Sequence, residues 1–367
     1  MATSRYRRNR VWAWHLMRQS VQSIRTPTYH FPSTIRVSLD QQENDMITRR
    51  QLLGAASMVL PGAGLIHSVA HAAYPERPIR LVVPYAPGGG SDVLARLVAN
   101  AMSRRLSKSI VVENKGGAGG ALGLEYVVRA PADGYTLILL STSHASNAAV
   151  MSLTYDVIKD VTPIGLIASG PWILVVNSNL HVSDVTELLA LAKAKPDSLN
   201  YASSGTGSST HLATALFAQK AGIKVTHVPY RSSGQALTDL IAGRVQFMLA
   251  SAPSVTGYVR DGKLKALCVS TAKRSPLFPD LPTAEQAGIH GFAEALWHGL
   301  AAPAKIPEKI VTALNQSLVS SLAEPSLRKQ FETQGLEPQA STPQEFSTML
   351  ANDVALWRAI AKSIDIS

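Results

Sequence analysis

The sequence predicts an α/β protein built of two doubly wound lobes joined by a hinge. Short continuous apolar runs recur between residues 79 and 270, and such runs are typical of strands buried on both faces of a parallel sheet. Most of them end in a turn rich in glycine or serine, after which apolar residues return at helical spacing. This order of strand, turn and helix stops before Pro163 and restarts after it, which predicts a second lobe. Two lobes leave a cleft between them, and a cleft is the default place for a ligand.

Three strands and two helices are predicted in the first part of this pattern. The strands are predicted at 79–85, 109–113 and 135–140. The turn after the first strand opens a helix with Ser91 as its N-cap and with Asp92 placed either to complement the helix dipole or to meet a ligand amine. The second turn, 116–120, leads into a helix that runs to Val128, and the third strand ends at the polar residues 141–144.

The same order continues beyond Pro163. Strands are predicted at 173–176, 200–202, 225–229, 245–249 and 265–270, with helices at 185–193 and 236–242. His211 lies in a further helix, which follows the second of these strands. The chain then returns to two helices, predicted at 307–322 and 343–364.

The net charge of +10 lies mostly ahead of this region. Residues 1–45 hold seven Arg and three acidic residues, a net of +4, and we expect them to precede a natural start at Met46. Residues 46–72 contain paired arginines, a weakly apolar run and an A-x-A site, which predicts a twin-arginine-type signal peptide cleaved near Ala72; a buried helix is the alternative. This segment carries +2, so an exported chain of 295 residues keeps only +4. No nucleic-acid partner is therefore expected.

The turns of the mature chain are rich in Gly and Ser and poor in acids and bases. Glycine lets a backbone approach a ligand closely, and the free N–H groups at a helix N-terminus form an anion site without a charged side chain. Several such turns that face one cleft predict a pocket for a small carboxylate or phosphate. Because Gly and Ser are also ordinary turn residues, a purely structural role remains the alternative.

The motifs of common enzyme classes are incomplete. Three glycines beginning at Gly88 imitate a dinucleotide-binding turn, but Val93 replaces the last glycine of that pattern. The sequence contains neither the G-x-S-x-G motif of serine hydrolases nor the H-E-x-x-H motif of zinc proteases. Cys268 is the single cysteine, which excludes an intrachain disulfide and a zinc site built on cysteines. His144 and His211 lie at candidate cleft turns, either as ordinary turn histidines or as ligand contacts.

Several short segments of the sequence form a longer pattern. It comprises residues 74–96, 111–115, 133–137, 200–205, 211–213, 227–231, 272–276, 281–283, 299–303 and 341–343. In this order and spacing they resemble the Bug-type substrate-binding proteins of tripartite tricarboxylate transporters. The resemblance covers essentially all of residues 74–367.

The resemblance implies a monomeric periplasmic binding protein of type II-like fold. It would close like a Venus flytrap on a small organic carboxylate, held mainly by backbone amides, and deliver it to inner-membrane permease subunits without catalysis, cofactor or metal. Lobe 1 would comprise residues 73–170 and 270–367, and lobe 2 residues 171–269. The implied ligand-binding residues are Tyr85, Pro87, Gly88, Gly89, Gly90, Ser91, Asp92, Ser141, Ser143, His144, Ser204, Gly205, Thr206, Gly207, Ser208, Tyr230, Arg231 and Ser251. Hinge motion is expected near 167–172 and 265–271.

Two departures from the family pattern bear on the ligand. Ser232 stands where relatives commonly have Gly, and Gln246 and Ala250 replace two commonly acidic residues. If Ala250 lines the pocket, we expect a ligand without an amine. Two other functions stay open: an exported α/β enzyme acting on a carboxylate through Asp92 or His144, and a sensor that uses the same cleft to signal to a membrane receptor.

Overall fold

The computed structural model describes residues 74–364. The predicted N-terminal extension, the signal peptide and the cleavage site near Ala72 lie outside the described residues. Across 74–364, no helix combines the length and the apolar character needed to cross a membrane.

Strands and helices alternate along most of the described chain. The strands are β1 (Ile79–Val83), β2 (Ile110–Asn114), β3 (Thr136–Ser141), β4 (Val161–Asn177), β5 (Asn200–Ser203), β6 (Thr226–Pro229), β7 (Phe247–Ser251), β8 (Leu264–Val269), β9 (Ala295–Pro303) and β10 (Glu337–Pro338). The helices are α1 (Gly90–Leu106), α2 (Ala121–Val128), α3 (Thr142–Val150), α4 (Val185–Ala194), α5 (Ser209–Ala221), α6 (Ser233–Ile241), α7 (Ala252–Arg260), α8 (Glu308–Leu322), α9 (Pro325–Thr333) and α10 (Pro343–Ser363). The predicted α/β class is confirmed.

The strands form a connected sheet in the order β2-β1-β3-β9-β4-β7-β5-β6, with β8 and β10 also paired to β4. β1 pairs in parallel with β2 and β3, and β5 pairs in parallel with β6 and β7. These two parallel groups are joined by the antiparallel strands β9 and β4. Parallel strands present their carboxyl ends at one edge, so the turns after β1 and β3, and after β5 and β7, gather where ligands bind in α/β folds.

β4 is a 17-residue strand that belongs to both parts of the sheet. Its first part pairs with β9, and its second part pairs with β7 and β8. The sequence predicted only the end of this strand, at 173–176, and treated Pro163 as a break. That reading of Pro163 is wrong, because Pro163 lies inside β4 beside a shift in register with β9, where a strand tolerates a residue without an N–H group.

β9 and several helices are absent from the sequence-based assignment. β9 pairs with β3 and with β4, partners that lie more than a hundred residues earlier in the chain. At Gly299 of β9, an added Cβ would lie only 2.1 Å from the Phe346 ring of α10, so this strand needs glycine to let α10 pack against it. α3, α7 and α9 also went unpredicted, and α3 and α7 both begin at the cleft.

The second part of β4 is buried on both faces. Leu174 and Val176 point into the larger apolar core, whereas Ile173 and Val175 point into a smaller one that also contains residues of α6 and α7. This alternation is the period of two expected of a strand. Trp172, at the start of this second part, packs edge-on against Trp357 of α10, with the ring centroids 6.3 Å apart. Trp172 thus packs this part of β4 against α10.

Candidate functional site

The N-terminal ends of five helices converge on one cavity. The residues that line it are Tyr85, Ala86, Gly89, Gly90, Ser91, Ser141, Thr142, Ser143, Ser204, Thr210, Ser232, Ser233, Gly234, Ser251, Ser254, Leu296, Trp297 and His298. α1, α3, α6 and α7 each contribute their N-cap or first residues, and α5 contributes Thr210 from its first turn. Helix N-termini carry partial positive charge and unpaired N–H groups, so this arrangement suits an anion.

α1 begins with glycine at the cavity wall. The N-cap is Gly89, in an extended conformation with φ −81° and ψ 167°, rather than the predicted Ser91, which is the second residue of the helix. Glycine has no side chain with which to cap the helix. The backbone N–H of Gly90 instead donates to Ser254 Oγ at 3.2 Å, across the cavity mouth in α7.

The start of α7 packs closely against the start of α1. An added Cβ at Gly90 would lie 2.8 Å from Ser251 Oγ, 2.9 Å from Ser254 Oγ and 3.1 Å from Pro253 Cβ. The two hydroxyls lie 2.8 Å apart and hydrogen-bond to each other. Glycine at position 90 therefore permits two helix N-termini to meet.

α3 is fixed by a reciprocal cap. The backbone N–H of Ser141 donates to Nδ1 of His144 at 3.0 Å, and the Ser141 side chain caps the N–H of residue 144 in return. Ser141 Oγ also lies 2.9 Å from the hydroxyl of Tyr85 on the cavity wall. Burial lowers the pKa of His144 to about 4, so its ring is neutral at pH 7 and serves to position the turn.

The far wall is formed by hydroxyls around β5 and α6. Thr210 Oγ1 accepts the backbone N–H of Ser204 at 3.0 Å, and Ser232 caps α6 by accepting the N–H of Gln235. The walls also meet directly at the start of α5, where the backbone N–H of Ser209 donates to Ser143 Oγ at 3.1 Å. Serine and threonine thus act both as helix caps and as lining groups.

The lining carries no formal charge at neutral pH. Eleven of its eighteen residues bear hydroxyl groups, and no Lys, Arg, Asp or Glu of the described chain is among them. Burial raises the pKa of Tyr85 and lowers the pKa of His298 to about 4, which keeps both neutral. Residues 74–364 also lack any cluster of three or more His, Cys, Asp or Glu able to hold a metal ion. An anion in this cavity would be held by hydroxyl donors, amide donors and helix dipoles.

The predicted site residues divide into two groups. Eight of them line the cavity, namely Tyr85, Gly89, Gly90, Ser91, Ser141, Ser143, Ser204 and Ser251. The other ten are not among the lining residues, namely Pro87, Gly88, Asp92, His144, Gly205, Thr206, Gly207, Ser208, Tyr230 and Arg231. Most residues of this second group make contacts within the protein that shape the turns next to the lining.

Asp92 organises the turn that carries the lining glycines. Its carboxylate accepts the backbone N–H of Gly88 at 3.0 Å, Nε of Arg96 at 3.0 Å and Nδ2 of Asn114 at 2.9 Å. Burial opposes ionisation of this carboxyl, but the hydrogen bonds from Arg96, Gly88 and Asn114 outweigh it and lower the pKa. Asp92 is thus an ionised structural group.

The predicted site residues between 205 and 231 that lie outside the lining have structural partners as well. Ser208 caps α5 and donates to the carbonyl of Gly205 at 2.6 Å, which shapes the 205–208 turn. The Tyr230 hydroxyl donates to Asp239 at 2.8 Å, and Arg231 is exposed. These contacts stabilise the 205–208 turn, and its contact with a ligand stays a prediction.

Ten lining residues were missing from the sequence-based set. They are Ala86, Thr142, Thr210, Ser232, Ser233, Gly234, Ser254, Leu296, Trp297 and His298. Ala86 lies in the turn between β1 and α1, and the next six lie at the starts of helices that adjoin the predicted turns, so a wider window around each strand end would have included all seven. Residues 296–298 lie on β9, and no turn signal marks them.

Comparisons with known proteins agree with this architecture. The sequence profile of the family described as "Tripartite tricarboxylate transporter family receptor" matches residues 94–366. Protein BugT of Bordetella pertussis is 34% identical over 316 residues, which cover 85% of this chain and 97% of BugT. A solved structure of an R. palustris protein with adipate is 36% identical, covers 80% of this chain and 99% of its own, and superposes with a TM-score of 0.78.

A second solved structure carries another dicarboxylate. MatC from Rhodopseudomonas palustris with bound malate is 31% identical, with a TM-score of 0.75 and coverage of 78% of this chain and 99% of MatC. These likenesses confirm the predicted two-lobe fold of the type II-like binding-protein class. They also confirm the family resemblance seen in the sequence.

Proposed function

Because the chain belongs to the tripartite tricarboxylate transporter family of receptors, we propose that it is a periplasmic solute-binding protein for a small organic carboxylate. The observation that carries this proposal is the convergence of five helix N-termini on a cavity without charged side chains. Each helix dipole contributes roughly 0.3–1 kcal/mol to holding a nearby anion, and more where the site is partly buried. Hydroxyl and amide donors supply the directed hydrogen bonds.

The binding motion would bring two lobes together. In this proposal lobe 1 comprises residues 73–170 and 270–367, lobe 2 comprises 171–269, and the hinge lies near 167–172 and 265–271. The Gly90 contact with Ser254 supports it, since this bond joins the two lobes at the cavity mouth. The closed, monomeric protein would then deliver its ligand to inner-membrane permease subunits.

The lining also limits the ligand. An ammonium group buried in the cavity would lack a carboxylate partner on the described residues, and burying an unpaired charge costs several kcal/mol. Ala250, at a position where an acidic residue is common in the family, packs in the smaller apolar core and is not among the lining residues, so this preference rests on the lining alone. We therefore favour acids without an amine over acidic amino acids.

Transport is favoured over catalysis by the placement of the candidate acid and base. Asp92 is engaged with Arg96 and Asn114, and His144 is engaged with Ser141, so both lie off the cavity surface in structural contacts. Prolonged incubation with bound acids followed by NMR of the solution should show no product. Product formation would favour the enzyme alternative, and intact uptake after deletion of neighbouring permease genes would favour the sensor.

A ligand screen tests the proposal directly. We expect malate, adipate or citrate to raise Tm by about 5 °C at 100 times its Kd, because binding to the native state alone stabilises it. Aspartate, which carries an ammonium where malate has a hydroxyl, is the matched control and should give a smaller shift. Failure of every acid to shift Tm, together with no organic acid released on denaturation, would contradict the proposal.

A further inference from the structure

His298 lies on β9 and contacts the start of α1. Its Nε2 lies 3.0 Å from Ser91 Oγ, and the residue is only 5% exposed. Both residues line the cavity. His298 therefore connects an antiparallel strand with the helix N-terminus that faces the ligand.

The surroundings of the ring select one tautomer. Nδ1 of His298 is buried and has no hydrogen-bond partner within residues 74–364. A neutral imidazole carries its hydrogen on one nitrogen only, and an orphaned buried N–H is rarer and costlier than an under-used acceptor. Burial, followed by the nearby His144, lowers the pKa of His298 to about 4, so the ring is neutral at pH 7. The hydrogen is thus placed on Nε2, where Ser91 Oγ can accept it.

We propose that His298 donates from Nε2 to Ser91 Oγ and so turns the Ser91 hydroxyl hydrogen toward the ligand carboxylate. A serine hydroxyl has one hydrogen and can rotate, so a fixed donor on its oxygen decides where that hydrogen points. Ser91 is the second residue of α1, and its hydroxyl adds a directed donor to the N–H groups of that helix end. His298 is a positioning residue, acting through Ser91.

This assignment rests on the proposed function only for the identity of the anion. The tautomer itself is a property of the protein alone, because it follows from the Ser91 contact and the buried Nδ1. Two measurements therefore separate the parts of the inference. One reads the tautomer without any ligand, and the other reads the coupling between His298 and Ser91 during binding.

The tautomer is measured by NMR of protein labelled with ¹⁵N at histidine. Ten histidines occur in the chain, and the signals of His298 are identified by their loss in His298→Gln. We expect at pH 7.5 a protonated Nε2 and an unprotonated Nδ1. A proton on Nδ1, or on both nitrogens, would overturn the assignment whatever the protein binds.

The coupling is measured by a double-mutant cycle with whichever of malate, adipate or citrate shifts the wild-type Tm most. Ser91→Ala and His298→Phe should each raise Kd on the order of tenfold, and the double variant should be no weaker than Ser91→Ala. Additive losses would show that His298 acts independently of Ser91, against the proposal. His298→Gln keeps an N–H donor, so its Kd should stay within about threefold of the wild-type value. This variant also tests the proposal if His298→Phe does not fold.

His290 supplies the matched control for the substitution. It is exposed on the surface beside Glu285, so His290→Phe should leave Kd unchanged. A wild-type protein that binds none of the acids would refute the proposed function and the ligand contact of Ser91 together. Normal wild-type binding with an uncoupled cycle would refute only the role of His298.

Discussion

Replacing Gly90 by alanine should weaken ligand binding without weakening the fold. Gly90 is the first residue of α1, in a conformation open to other residues, and alanine is the better helix former. The added methyl would meet Ser251 Oγ at 2.8 Å and Ser254 Oγ at 2.9 Å, about half an ångström inside an ordinary contact. Pro253 Cβ, at 3.1 Å, belongs to a stiff ring and leaves little room for adjustment.

The size of the effect follows from the interactions that break at the cavity mouth. Moving α1 away from α7 breaks the hydrogen bond from Gly90 to Ser254, which is worth about 1 kcal/mol, and adds a packing penalty of about 1 kcal/mol. A total of about 2 kcal/mol raises Kd roughly thirtyfold. The Tm without added acid should stay within about 2 °C of wild type, because the clash is relieved by opening the cleft.

Isothermal titration and thermal unfolding of Gly90→Ala test this reasoning. Gly89→Ala is the matched control, since a Cβ there meets nothing closer than the Ala86 carbonyl oxygen at 3.9 Å. We expect its Kd to stay within about threefold of wild type, with at most a small loss of Tm from the poorer N-cap. Wild-type affinity in Gly90→Ala would refute the idea that α1 and α7 must meet for tight binding.

Three further predictions concern buried titratable groups. Burial raises the pKa of Asp353 to about 6, so ionising this carboxyl costs stability as the pH rises from about 4 to 6. In urea unfolding, Asp353→Asn should therefore stabilise the protein by roughly 3 kcal/mol at pH 7.5 and leave its stability unchanged at pH 3.5. Asp280→Asn, at an exposed position, should leave the stability unchanged at both pH values. Burial, followed by the neighbouring His211, lowers the pKa of His227 to about 3, so the stability of the protein should fall as the pH drops below 6.5. His227→Gln should make stability depend less on pH in this range, and an unchanged dependence would contradict the assignment. Burial raises the pKa of Cys268 to about 12, so a thiol reagent should label it only on unfolding, and rapid labelling of the native protein would contradict its placement.

The parts of the fold that sequence could predict are those with a local signal. The run 79–85 before a glycine turn identifies β1 and the start of α1 because a doubly buried parallel strand must be apolar throughout. β9 carries a similar run, but Gly299 and His298 interrupt it, and its partners lie far along the chain. Its position in the sheet is set by non-local pairing, which leaves no mark on a short window of sequence.

The same distinction between local and non-local signals separates the lining residues that the sequence predicted from those that it did not. Ser91 follows β1, and Ser141 and Ser251 are the last residues of β3 and β7, at the carboxyl ends where a general rule places ligands; all three line the cavity. His298 lies within an antiparallel strand, where no such rule applies. Asp92 illustrates a different limit, since a carboxylate at a binding turn can serve the turn itself, and its contacts with Arg96 show such a role while its contact with a ligand stays a prediction.

The absence of a lining charge among the described residues has a consequence for release as well as for capture. A buried cation would hold a carboxylate whether the cleft were open or closed, because its attraction depends weakly on direction. Hydroxyl and amide donors are directional, and α1 and α7, joined by the hydrogen bond from Gly90 to Ser254, present theirs to the same cavity. In the proposed function, affinity in such a site depends on closure, so a partner that separates the two lobes would lower the affinity steeply. A binding protein that must hand its ligand to another protein gains more from this dependence than from a fixed charge.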